Sequence, residues 1–159
     1  MDGPTDIPNS KPPLPGEARD WLQTMKRDWE ESAREAALAA LGGDVVVEAA
    51  YVVANGEDDD VRSRTTYWAA TTVGLLCISA TWTRDGLYRT LVDLTAWPDV
   101  RDPELRIEML TSPEGAPTFS RTFRMQIPRF YADETGVPTS HPEWQLVPFA
   151  RAVLRHYRS

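Results

Sequence analysis

Residues 65–83 run for nineteen positions without a charge, between Arg64 and Arg84, and no other stretch constrains the fold as strongly. Its length, with Trp68 and Trp82 near the ends, would suit a transmembrane helix. Its content does not. The stretch holds six Thr and one Ser but only two Leu and one Ile. β-Branched and aromatic side chains crowd the preceding turn of a helix and fit a pleated sheet. The segment therefore reads as strand. It is too long for one typical strand, so a bend is expected near Gly74.

Asp85-Gly86 follows at once and is a two-residue hairpin signal, joining residues 75–84 to 87–95. That turn sets Trp82 opposite Arg89, Ala80 opposite Leu91, Thr83 opposite Tyr88 and Thr81 opposite Thr90. Trp97-Pro98 ends the second strand. Upstream, residues 45–54 read as a strand, and Asn55-Gly56 opens a loop through Glu57-Asp58-Asp59-Asp60. Downstream, Leu105, Ile107 and Met109 alternate with Arg106 and Glu108, the pattern of a half-buried strand. Ser112-Pro113-Glu114-Gly115 is a turn. Phe119, Phe123, Met125 and Ile127 mark a further strand, and residues 128–147 read as irregular, with Pro128, Gly136, Pro138 and Pro142.

A helix is expected at each end. Over residues 17–41, Ala18, Trp21, Leu22, Met25, Trp29, Ala33, Ala36 and Ala40 recur at steps of three and four. Glu17 and Asp20 suit the N-terminal dipole, and Gly42-Gly43 supplies the stop. Trp21, Met25 and Trp29 form a stripe that either packs on the sheet or docks a partner. Pro148 suits the first turn of a short last helix, with Phe149, Ala152, Val153 and His156 or Tyr157 inward and Arg151, Arg155 and Arg158 toward its C-terminal end. Strands that follow one another without intervening helices imply an α+β fold. The expectation is one mainly antiparallel sheet of five or six strands, curved or barrel-like, with a long N-terminal and a short C-terminal helix.

Length fits one domain over residues 16–159, preceded by a Pro-rich flexible tail over residues 1–15. A chain of 159 residues buries roughly two-thirds of its unfolded surface without a staple. Residues 1–15 lack the charged stub and apolar core of a signal peptide, so a cytoplasmic location is expected. Net charge is −7 and uneven: residues 1–60 carry 14 acids and 5 bases, residues 61–159 carry 10 acids and 12 bases. That balance argues against a nucleic-acid partner. Fifteen of the seventeen bases are Arg, which fits codon bias of a high-GC bacterial genome.

Few residues offer chemistry. Cys77, the single cysteine, lies in Leu75-Leu76-Cys77-Ile78 and reads as a buried, inert thiol. The acidic run 57–60 lacks the spacing of a calcium loop and reads as solvated. His141 and His156 have no metal-ligand spacing, and Ser140 beside His141 does not make a triad. Asp93, Asp99, Asp102 and Glu104 gather around the Trp97 turn, where Asp serves backbone hydrogen bonding. No phosphate-binding loop or nucleophile elbow is present. Hence no catalytic residue, metal or cofactor is assigned. Arg62, Arg64, Trp82, Arg84, Tyr88 and Arg89 gather near the hairpin, where guanidinium and ring faces could receive a carboxylate, a phosphate or a peptide.

From the 75–95 hairpin through Trp97-Pro98-Asp99-Val100, two further strands and the closing helix 148–157, the order of elements resembles the bacterial PH-like barrel. The resemblance covers about half the chain and lies in order alone. The basic first loop of lipid-binding members is acidic here, at Glu57-Asp58-Asp59-Asp60, so the resemblance implies no phosphoinositide site.

Three functions are consistent with these features. The first is a non-enzymatic protein- or peptide-interaction module, whose binding residues would be Trp21, Met25, Trp29, Trp82, Arg84, Tyr88 and Arg89. The second is a small-ligand pocket protein or enzyme of NTF2-like cone architecture, with a cavity between helix and sheet. The third is a structural homo-oligomer joined at exposed strands.

Overall fold

The computed structural model describes residues 16–17, 31–42, 44–55, 61–111, 113–115, 118–136 and 146–158. The chain divides into two compact units, Met1–Leu94 and Thr95–Ser159. The expected single curved or barrel-like sheet is replaced by two open antiparallel sheets. Residues 97–99 form a 3-10 turn in which Pro98 cannot donate, and Asp102 takes φ 55°. The ladder does not continue through that corner.

In the first unit the strands are β1 (Gly16–Glu17), β2 (Val46–Asn55), β3 (Val61–Thr71), β4 (Gly74–Thr83) and β5 (Tyr88–Ala96), lying side by side in that order. The two-residue β1 pairs with Val46 and Val47. Glu17 is thus strand and not the first turn of a helix. The described helix, α1, covers Glu31–Leu41; Trp21, Met25 and Trp29 lie outside the described residues. Ala33, Ala37 and Leu41 are buried, whereas Ala36 and Ala40 are exposed. Ala33 faces inward as expected, but beyond it the stripe is one position off, because an Ala-rich helix shows little apolar contrast around its axis. Gly42 ends α1 at φ 70°, donating its N–H to the Leu38 carbonyl at 3.1 Å.

Small side chains bring α1 directly against the sheet. Ala33, Ala37 and Leu41 pack with Val45, Val47, Ala50, Tyr67, Ala69, Leu76 and Ile78. Burying each of the larger aliphatic members contributes about 1.5–3 kcal/mol. Residues 65–83 are strands, as their composition requires, and no helix among the described residues is long and apolar enough to cross a membrane. The expected bend near Gly74 is a tight turn at Thr72-Val73. Thr71 holds it: its hydroxyl donates to the Gly74 carbonyl at 2.7 Å and accepts the Gly74 and Val73 N–H groups at 3.1 and 3.2 Å.

In the second unit, β6 (Glu104–Leu110), β7 (Thr118–Met125) and β8 (Phe130–Gly136) form a meander, closed by helix α2 (Leu146–Arg158). β8 falls in the segment expected to be irregular. Phe130 and Ala132 face inward and Tyr131 and Asp133 outward, an alternation that the flanking Pro and Gly residues hide. Pro148 sits in the first turn of α2, where no intrahelical donor is lost. Phe123, Phe130 and Phe149 pack edge-on and tilted at 5.6–6.0 Å, each pair adding about 0.5–1.5 kcal/mol beyond burial. His156 stacks on Trp97 at 4.2 Å, tying the 3-10 turn to the last turns of α2.

Thr71 is fully buried and satisfies three backbone groups. Thr71→Val keeps the shape and removes all three bonds. The expected result is a loss of about 1–3 kcal/mol in urea unfolding with an unchanged m-value.

Candidate protein-interaction surface

The hairpin residues do not assemble as their spacing suggested. Gly86 N–H bonds to the Thr83 carbonyl at 3.1 Å, and Thr83 N–H bonds to the Leu87 carbonyl at 2.9 Å. The loop is therefore three residues long, Arg84-Asp85-Gly86, with Gly86 at φ 89° in the left-handed position. The Thr83 hydroxyl donates to the Asp85 carboxylate and accepts Leu87 N–H at 3.1 Å. That hydroxyl holds the Asp85 carboxyl below the usual carboxylate range.

Thr83 thus lies opposite Leu87 and not Tyr88, a shift of one residue. A one-residue shift moves every side chain of the partner strand to the other face. Two contacts follow the shifted register. Val92 packs on the cluster that contains Ile78, and Asp93 acts on Cys77. Trp82 therefore projects on the Ile78 face, while Arg89 projects on the Cys77 face. Arg84 is exposed in the loop, and Tyr88 starts β5. The structure instead brings Arg64 and Arg89 to one face, on either side of Thr81. Trp82 and Arg89 therefore do not lie opposite each other as the two-residue turn implied.

On the same face, Tyr51, Trp68, Cys77 and Asp93 form a row across β2 to β5. Tyr51 and Trp68 are buried. Burial, reinforced by the Asp93 charge, pushes the Cys77 thiol up to about 12. Cys77 is half-buried and not fully buried as expected; its raised thiol is the physical ground for expecting it to be inert.

The second unit carries a different kind of surface. One face of its sheet holds Leu105, Ile107 and Met109 of β6, Phe119, Arg121, Phe123 and Met125 of β7, and Phe130, Ala132 and Glu134 of β8. α2 packs on the end around Phe123, whose neighbours Met125, Phe130 and Ala132 are buried. The other end of the same face is open. Ile107 is 54% exposed and Met109 59%. Their opposite residues in β7 are Arg121 and Phe119. The Arg121 guanidinium lies over the Phe119 ring, 5.7 Å from its centre. The alternation of β6 is as expected, but the expected half-burial is not found: of its apolar face only Leu105 is partly covered, and Ile107 and Met109 are more than half exposed. Leu110 is also more than half exposed, on the polar face.

Glu134 borders this open end, opposite Arg121 in the ladder. Burial pushes its carboxyl up, against the opposing pull of the Leu146 N–H and the Arg121 charge. Leu146 is the first residue of α2, so the carboxylate also serves the helix N-terminus. The remaining oxygen, Oε1, is buried without a hydrogen bond. The sequence signal for Glu134 was its place in the Phe130, Ala132, Glu134 series. Glu104 and Arg124, opposite each other on the polar face, form an exposed ion pair at 2.7 Å, worth about 0.2–1 kcal/mol.

An open basin of about 450 Å³ runs along α2, lined by Arg151, Leu154, Arg155 and Arg158. It is the solvated outer face of one helix and supplies cationic charge without enclosure. Among the described residues no group of three or more His, Cys, Asp or Glu could hold a metal ion. His141 and the run 57–60 lie outside the described residues.

Two measurements test these environments. Cys77 in the folded chain should resist iodoacetamide at pH 8 and react once urea unfolds it; fast native alkylation would contradict the row around it. For Glu134 the folded pKa lies above the unfolded one, so the fold favours the protonated form. Its contribution is fully present below the ordinary glutamate range and is lost as pH rises through the raised value. Glu134→Gln should flatten that decline in stability, and an unchanged slope would exclude Glu134 as its source. Comparison of the chain with protein-family models, characterised proteins and solved structures gives no match.

Proposed function

We propose that this chain is a non-enzymatic protein-interaction module that receives an extended segment of its partner along β6. The observation that carries the proposal is the exposure of β6. Every residue of it except Leu105 is exposed, including Ile107, Met109 and Leu110. β6 stands at the end of its sheet, with β7 its one ladder neighbour among the described residues. Edge strands present unpaired N–H and C=O groups, and folded proteins blunt them with Pro, bulges or inward charges. β6 has none of these on its apolar face. An added strand would satisfy its backbone and cover Ile107 and Met109 together.

Direct packing of α1 on the first sheet favours this reading over a ligand cavity beneath that helix. The partner is taken as protein or peptide and not nucleic acid, in keeping with the net charge of −7. A cytoplasmic setting belongs to the same proposal.

The double variant Ile107→Lys/Met109→Lys tests it. Both side chains are more than half exposed, so circular dichroism and thermal unfolding should stay close to wild type. Peptides selected from a display library on the wild-type chain should alternate apolar residues. They should bind the variant at least about tenfold more weakly. Equal affinity for the folded variant would overturn the proposal.

A further inference from the structure

We infer that the strand received along β6 is β6 of a second copy, paired antiparallel about Ile107; this rests on the reading of β6 as a docking edge. The support is the pattern of charges along the strand, Glu104-Leu105-Arg106-Ile107-Glu108-Met109-Leu110. A two-fold axis perpendicular to the sheet keeps each face on its own side. Opposite residues must then be both even-numbered or both odd-numbered.

Three such registers overlap five or more residues. Centred on Arg106, the pairing sets Arg106 against its own copy and Glu104 against Glu108. Centred on Glu108, it sets Glu108 against its own copy. Like charges directly opposite one another destabilise a ladder. Centred on Ile107, all seven residues pair. Arg106 then lies opposite Glu108 twice, once on each side of the axis. On the other face Ile107 meets Ile107, and Leu105 meets Met109. Every charge opposition is attractive on one face, and every contact is apolar on the other.

The intramolecular ladder leaves these groups available. Arg106 and Glu108 stand opposite Thr122 and Ser120 in β7, both uncharged, and both charged residues are exposed. The product is an isologous dimer in which two three-stranded sheets become one of six strands. A foreign peptide would need no such mirror pattern in β6.

Charge reversal tests the register. The full chain is sedimented over a concentration series as wild type, Arg106→Glu, Glu108→Arg and the double swap. Wild type should dimerise reversibly. Each single reversal places like charges opposite twice and should weaken dimerisation about tenfold. The double swap restores opposite charges and should recover to within about threefold of wild type. In a Cys77→Ser background, Ile107→Cys should form a disulfide-linked dimer faster than Arg106→Cys or Glu108→Cys, because only residue 107 faces itself. A double swap no better than the single reversals would overturn the inference, as would fastest linkage at residue 106 or 108. A wild type monomeric at every concentration would overturn it too. In that case loss of peptide binding by Ile107→Lys/Met109→Lys would still uphold β6 as a docking edge for another protein.

Discussion

The hydrogen bond from Thr83 N–H to the Leu87 carbonyl, 2.9 Å long, sets which way each residue of β5 points. Strand side chains alternate with a period of two, so one backbone bond at a turn propagates along the whole ladder. It sends Val92 to the α1 side and Asp93 to Cys77. It separates Trp82 from Arg89. The turn is held by local chemistry: Gly86 accepts a left-handed backbone, and the Thr83 hydroxyl engages both Asp85 and Leu87.

The same period governs the second unit, with a different outcome. Its sheet has one apolar face, and α2 buries the end around Phe123, Phe130 and Phe149. Ile107 and Met109 continue that apolar face beyond the helix. Glu134 and Arg121 stand where cover gives way to exposure, and partial burial there raises the Glu134 carboxyl. A partner laid along β6 would extend the ladder and lengthen the covered face in one step.

Much of the strand content was legible in residue type and alternation. The Thr-rich uncharged stretch, the β6 alternation and Pro148 in the last helix each led to the element found. β8 was hidden because Pro128 and Gly136 mark turns more loudly than Phe130 and Ala132 mark a strand. The inward face of α1 was blurred because Ala33, Ala36, Ala37 and Ala40 carry almost the same apolar weight. The candidate surface was legible in part: the apolar residues of β6 were visible, and their exposure was not.

From sequence alone come strands β2 to β7, the helical character of α1 and α2, the approximate turn positions and the charge order along β6, because these depend on neighbours along the chain. The tertiary structure decided the hairpin register, the division into two sheets, the edge position of β6 and the reach of α2. Those depend on hydrogen bonds and coverage between segments far apart in sequence. Whether a given apolar strand is core or docking edge is settled by what lies beside it, and only the fold places a neighbour there or leaves the edge open.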